Sequence, residues 1–200
     1  IMPSLVGSEM CIRDRMMLGA GAAENTVSQW ASAFAEEGLG VTKTVGDLAG
    51  PMAFAALMGT ARLIYGKWGH KLHLEKCMLG SSLLCVAAYL AIALVPNPLL
   101  SLVGCAVCGF SVGILWPGTF SKGSAAIPKG GTVMFALFAL AGDLGCSAGP
   151  TLAGMVTRVC DGNMRRGILA GIVFPLLLVL CLVFGKKRKA CLLYTSDAAD

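Results

Sequence analysis

Two stretches of this chain, Leu74–Val95 and Gly167–Phe184, are near-continuous runs of apolar residues. Such runs have few places to go. No water reaches the backbone inside a bilayer, so every N–H and C=O must be paired within the protein, which a helix achieves on its own. A helix needs about 20 mainly apolar residues to cross the hydrocarbon core. Four less pure stretches fit the same length: about Met16–Ala35, Gly46–Tyr65, Leu99–Phe120 and Gly131–Val156. The predicted fold class is all-α, a polytopic membrane helix bundle of about six transmembrane helices. Composition points the same way. Hydrophobic residues make up 56% of the chain and charged residues 14%, against roughly a quarter charged in a soluble domain. The 26 glycines suit membrane helices, because small residues let backbones approach closely.

The net charge of +5 gathers in short clusters between the apolar runs. That pattern is a topology signal and excludes a nucleic-acid surface. Placing the terminal Lys186, Lys187, Arg188 and Lys189 in the cytoplasm also puts Arg62, Lys67, Lys71, Lys76, Lys122 and Lys129 there. Lys43, Arg158, Arg165 and Arg166 then fall outside, with Glu36, Glu37 and Asp47. Lys and Arg so counted stand ten to four for a cytoplasmic C-terminus in the cell membrane. Arg165 and Arg166 are the residues this orientation leaves unexplained. The nine cysteines mostly lie inside apolar runs and read as small hydrophobes. Cys105 and Cys108 have CxxC spacing without a second pair, and His70 and His73 sit in a basic loop with too few other ligands. No metal and no cofactor is expected.

The two ends read differently from the rest. Ser4–Arg15 and Cys191–Asp200 resemble peptides translated from sequencing-adapter DNA at the ends of metagenomic reading frames. Residues 1–15 and 190–200 are therefore expected to be artefacts. Residues 16–189 are expected to form the genuine domain, cut from a longer protein.

Three groups of residues stand out inside the spans. In the first, Glu24, Asn25, Ser28, Gln29 and Ser32 fall within an arc of about 140° on a helix, with Gly21 on the same side. A polar stripe facing lipid is costly, so it is expected to face the bundle interior or a water-filled cavity. In the second span Gly59, Arg62 and Gly66 share a face. The glycines would permit a close helix crossing, and the arginine would reach a helix end or a carboxylate. A snorkelling cation at a span edge is the plainer reading. In the fifth, Asp143 lies among Gly142, Gly145 and Gly149, and Pro150 follows. Tight packing is expected there, with the carboxylate capped or facing a cavity, and Pro150 bending the helix. Gly109 and Gly113 repeat the small-residue spacing beside Trp116 and Pro117, where Trp116 is either cavity wall or interface anchor.

Taken in order, these segments resemble the C-terminal half of major facilitator superfamily transporters. "GTARLIYGKWGHK" resembles that family's loop between the eighth and ninth helices. "GFSVGILWPGTFS" looks like its tenth helix, "GDLGCSAGP" like its eleventh, and "ENTVSQWASAF" like the seventh in the fucose-permease-like branch. The resemblance covers Met16 to Lys189. It implies a six-helix half whose N-terminal six-helix partner is missing, set in a lipid bilayer. It also implies that the first helix lines a substrate path. Glu24 would then exchange protons or bond substrate, Asn25, Ser28 and Gln29 would meet a polar solute, and Trp30 would stack or pack. The alternative for Glu24 is a structural clamp between helices. The function implied is a fragment of a secondary transporter, moving a small polar solute such as a sugar by proton symport and alternating access. No phosphate-binding loop is present, so ATP is not its direct energy source. A half-size subunit without transport of its own is the competing class. An intramembrane enzyme is disfavoured, because Glu24 and Asp143 have no histidine partner in any span.

Overall fold

The computed structural model describes residues 2–39, 42–126 and 131–197. Lys129 lies outside the described residues, as do the side chains of Glu37, Lys43, Asp47, Lys186, Lys187, Arg188 and Lys189. Every described element is a helix: α1 (Met2–Leu39), α2 (Lys43–Trp68), a short 3-10 turn (Gly69–Lys71), α3 (Leu74–Leu94), α4 (Pro98–Val112), α5 (Leu115–Ala126), α6 (Gly131–Val159), α7 (Met164–Gly171) and α8 (Val173–Asp197). The boundaries expected at residues 15 and 190 fall inside α1 and α8.

Proline explains why there are more helices than spans. Pro117 cannot donate to the carbonyl of Gly113, and the expected fourth span divides there into α4 and α5. Pro175 likewise cannot donate to Gly171, and the sixth span divides into α7 and α8. Each pair still forms one apolar stretch, Leu99–Ala126 and Met164–Gly185. With Leu48–Lys71, Leu74–Leu94 and Gly131–Val159 they make five stretches, among the described residues, long and apolar enough to cross a membrane. The chain is thus an all-α polytopic bundle.

The expected first span is not among those five, and its position shows why. α1 packs against α2, α4, α5, α6, α7 and α8. Met16, Met17, Ala20, Ala23, Val27 and Ala31 are all buried along it. A helix wrapped by others need not be apolar all round, so α1 can carry its polar stripe. From the far side, the fully buried Tyr89 of α3 donates its hydroxyl to the carbonyl of Ala23 across 2.8 Å.

Glycine sets how closely the helices cross. A Cβ at Gly145 of α6 would collide with the carbonyl oxygen of Leu18 in α1. One at Gly149 would sit 2.6 Å from the carbonyl oxygen of Ala22, and one at Gly21 would collide with that of Gly142. The two backbones therefore touch without side chains between them. α4 meets α2 in the same way, where a Cβ at Gly109 would strike the Phe54 carbonyl and one at Gly113 would lie 2.8 Å from that of Met58. Gly59 and Gly66 behave differently. Among the described residues nothing lies within 4 Å of either Cβ position, so no close crossing is made there at this pair. The α4 contact falls on another face of α2, at Phe54, Met58 and Ala61.

Arg165 has a use that its expected loop position hides. Its guanidinium, half-buried, donates to the carbonyls of Val95, Ile92 (3.4 Å) and Pro96 (3.4 Å). These lie at and just past the C-terminal end of α3, where helical carbonyls lack intrahelical donors and a cation is favoured. Arg165 is a helix cap reaching over from the first turn of α7, and this explains a cation on the outer side of the expected topology.

These contacts give a paired expectation. Gly145→Ala should lower the melting temperature of the detergent-solubilised chain, because the new methyl meets backbone. Gly59→Ala should be neutral or stabilising by about 0.5–1 kcal/mol, the ordinary preference of a helix for alanine. Equal effects at the two sites in thermal unfolding would contradict the α1–α6 crossing.

Candidate functional site

The stripe of α1 lies between α2 on one side and α6 on the other. Glu24 turns to α2, where its Oε1 lies 3.6 Å from Nη2 of Arg62. The two side chains are 23% and 45% exposed, so the pair is neither sealed nor free in water. Arg62 thus takes the carboxylate option of the sequence reading, and the partner comes from the helix before its own. Oε2 of Glu24 is buried and has no hydrogen-bond partner among the described residues.

Asn25 turns the other way. Its amide donates to the carbonyl of Cys146 in α6 at 2.9 Å. Ser28 is half-buried and Gln29 is exposed. Trp30 is half-buried and packs on the main apolar core, with its ring edge 3.8 Å from the Cβ position of Gly154. The opposite face of α1, with Ala22, Ala23, Thr26 and Val27, is fully buried. The polar residues therefore sit on the one side of α1 left accessible.

Trp116 comes to the same region from α5. Its ring fills the space left by Gly142, 2.5 Å from where a Cβ would be, and its centroid lies 6.3 Å from that of Phe120. The indole Nε1 is buried without a partner among the described residues. Gly142 also faces Gly21, so Trp116 stands one helical turn along α1 from Glu24. Asp143 is exposed on α6 and joins neither Glu24 nor Arg62 in an ion pair among the described residues. Pro150 lies inside α6, which continues unbroken to Val159.

Residues outside this group take other roles. His70 and His73 are exposed. Cys105 and Cys108 are buried free thiols, and the sulfurs of Cys85 and Cys108 are 3.9 Å apart in the apolar core. Among the described residues no group of histidine, cysteine and carboxylate side chains is placed to hold a metal ion. Sequence reasoning paired Arg62 with no particular residue. A carboxylate in one span and an arginine in the later part of the next was the available signal. It missed the acceptor of Asn25, although a proline four residues after Cys146 marks that carbonyl.

The fold is a bundle of apolar helices around one polar-striped helix, with a charge pair on that helix's accessible side. Residues 15–150 match the family model of the Major Facilitator Superfamily. The match spans more than half of the chain, which therefore belongs to the Major Facilitator Superfamily and is a multi-pass membrane transporter protein. No curated protein and no solved structure was found to match it.

The pair predicts a non-additive pattern. Arg62→Ala leaves the Glu24 carboxylate without its cation. The cost should fall between the ~1 kcal/mol of an exposed pair and the ~3–5 kcal/mol of breaking a buried one. Glu24→Gln in the Arg62→Ala background should recover most of that loss. Thermal unfolding of the four variants in lipid nanodiscs measures it, and strictly additive effects would mean that the two groups do not interact.

Proposed function

We propose that this chain is the C-terminal six-helix half of a proton-coupled secondary transporter for a small polar solute, a sugar being the leading class. The ion pair between Glu24 and Arg62, set in the polar stripe of the most enclosed helix, is the observation that carries the reading. An ionised carboxylate inside the membrane is stable when a cation faces it. Protonating Glu24 removes that attraction and releases Arg62, and losing the proton restores it. Such an exchange gives α1 and α2 two arrangements that differ by one proton, which is what symport needs.

The remaining polar groups fit solute contact. Nε1 of Trp116 is an unused donor and Oε2 of Glu24 an unused acceptor. Ser28 and Gln29 lie on the accessible side of α1. A polyhydroxylated solute offers donors and acceptors to match all four, and an indole face suits the apolar face of a sugar ring. Asp143 lies on an exposed face of α6, where the missing N-terminal half would cover it. The two halves would rock about this site and open it alternately to each side. The C-terminus would be cytoplasmic and the membrane the cell's inner one.

The test needs the intact gene, recovered by sequencing outward from residues 16 and 189 of this frame. In proteoliposomes holding a trapped pH dye, a panel of monosaccharides should identify a solute whose entry acidifies the lumen. Glu24→Gln should abolish the acidification while sparing solute exchange at equal concentrations on both sides. Unchanged pH-dependent uptake in that variant would overturn the assignment of Glu24.

A further inference from the structure

Four prolines, Pro51, Pro117, Pro150 and Pro175, lie inside the apolar spans and do not act alike; α2 runs unbroken through Pro51. At Pro117 and Pro175 the helix divides three to five residues earlier. At Pro150 it does not: α6 runs unbroken from Gly131 to Val159. In each case the carbonyl four residues back loses its ordinary N–H donor. For Pro150 that carbonyl belongs to Cys146, and it is the one that accepts the Asn25 amide at 2.9 Å.

Its surroundings make this contact a matter of design and not of chance proximity. Gly145 and Gly149, with Gly21 opposite, bring the α6 backbone directly onto α1 at this level. A side chain as short as Asn can reach the carbonyl only because of that approach. Elsewhere on α6 the hydroxyl of Ser147 donates to the carbonyl of Asp143 (3.1 Å) and that of Thr151 to Ser147 (2.7 Å). Residue 150, being proline, offers Cys146 neither a hydroxyl nor an N–H. In a bilayer an unpaired carbonyl is not rescued by water.

We propose that Asn25 is a positioning residue, whose amide replaces the backbone donor that Pro150 removes and so holds the proline-containing part of α6 to α1 beside Glu24. The role reassigns Asn25 from the solute contact that the sequence suggested. It also means that any separation of α1 from α6 at this level exposes a bare carbonyl to the polar path. That couples a movement of the two helices to one hydrogen bond. The inference rests on the bundle geometry and does not require the proposed solute or proton.

A double-mutant cycle on the full 200-residue chain tests it. Asn25→Ala should lower the melting temperature in detergent by about 2–4 °C, the shift for one part-buried hydrogen bond in a chain of this size. In the Pro150→Ala background, where residue 150 again has its N–H, Asn25→Ala should produce almost no fall. Asn25→Asp should behave like Asn25→Ala at pH 8, because a carboxylate cannot donate. An Asn25→Ala variant that folds only with Ala at residue 150 would be the strongest form of the expected result. The same fall in both backgrounds, or failure to fold in both, would overturn the proposal. Transport is not read out, so a negative result here leaves the proposed function standing, and the reverse also holds.

Discussion

The contact between the backbones of α1 and α6 is the constraint on which the rest of the arrangement depends. Gly21, Gly145 and Gly149 remove the side chains that would hold the two helices apart. In lipid there is no water to expel from between apolar helices, so close van der Waals fit supplies much of the attraction. The fit also decides what else can happen nearby. Only with α6 pressed onto α1 can Asn25 reach a backbone carbonyl and Trp116 fill the gap at Gly142.

With α6, α4 and α8 covering it, α1 is free to carry a polar stripe. This turns a liability into a site. A glutamate on the outside of a bundle would face lipid and be strongly disfavoured. On the accessible edge of an enclosed helix it meets Arg62, and each charge makes the other tolerable. The pair is also the only ion pair between spans found near the stripe among the described residues. Lys122 and Glu75, 3.1 Å apart, belong to the helix ends.

Unpaired carbonyls recur as a problem that the chain solves in different ways. Arg165 serves those at the C-terminal end of α3 from the first turn of α7. Asn25 serves one in the middle of α6. Ser101 donates to the carbonyls of Val95 (3.3 Å) and Ile92 (3.5 Å) at the end of α3. Each polar side chain lies where a proline or a helix end has left an acceptor open, which is what a backbone in low dielectric demands.

The approximate limits of five of the six expected spans were legible in the sequence, because apolar length is a local property and the bilayer has one thickness. The polar stripe was legible too, since helical periodicity alone puts Glu24, Asn25 and Gln29 on one side. The breaks at Gly113 and Ile172 follow from Pro117 and Pro175, although the continuous apolar runs concealed them. Which residues meet across helices was not local and could not be read. The sequence marks Gly59 and Gly66 as a crossing as plainly as Gly145 and Gly149, yet among the described residues only the second pair touches a neighbour. It shows Arg165 as a stray loop cation and Asn25 as a solute ligand, and the structure gives both of them backbone carbonyls. Composition and period determine that a helix forms and which face is polar. Tertiary packing alone decides which helix lies against that face, because contact depends on the mutual rotation of two helices and not on either one.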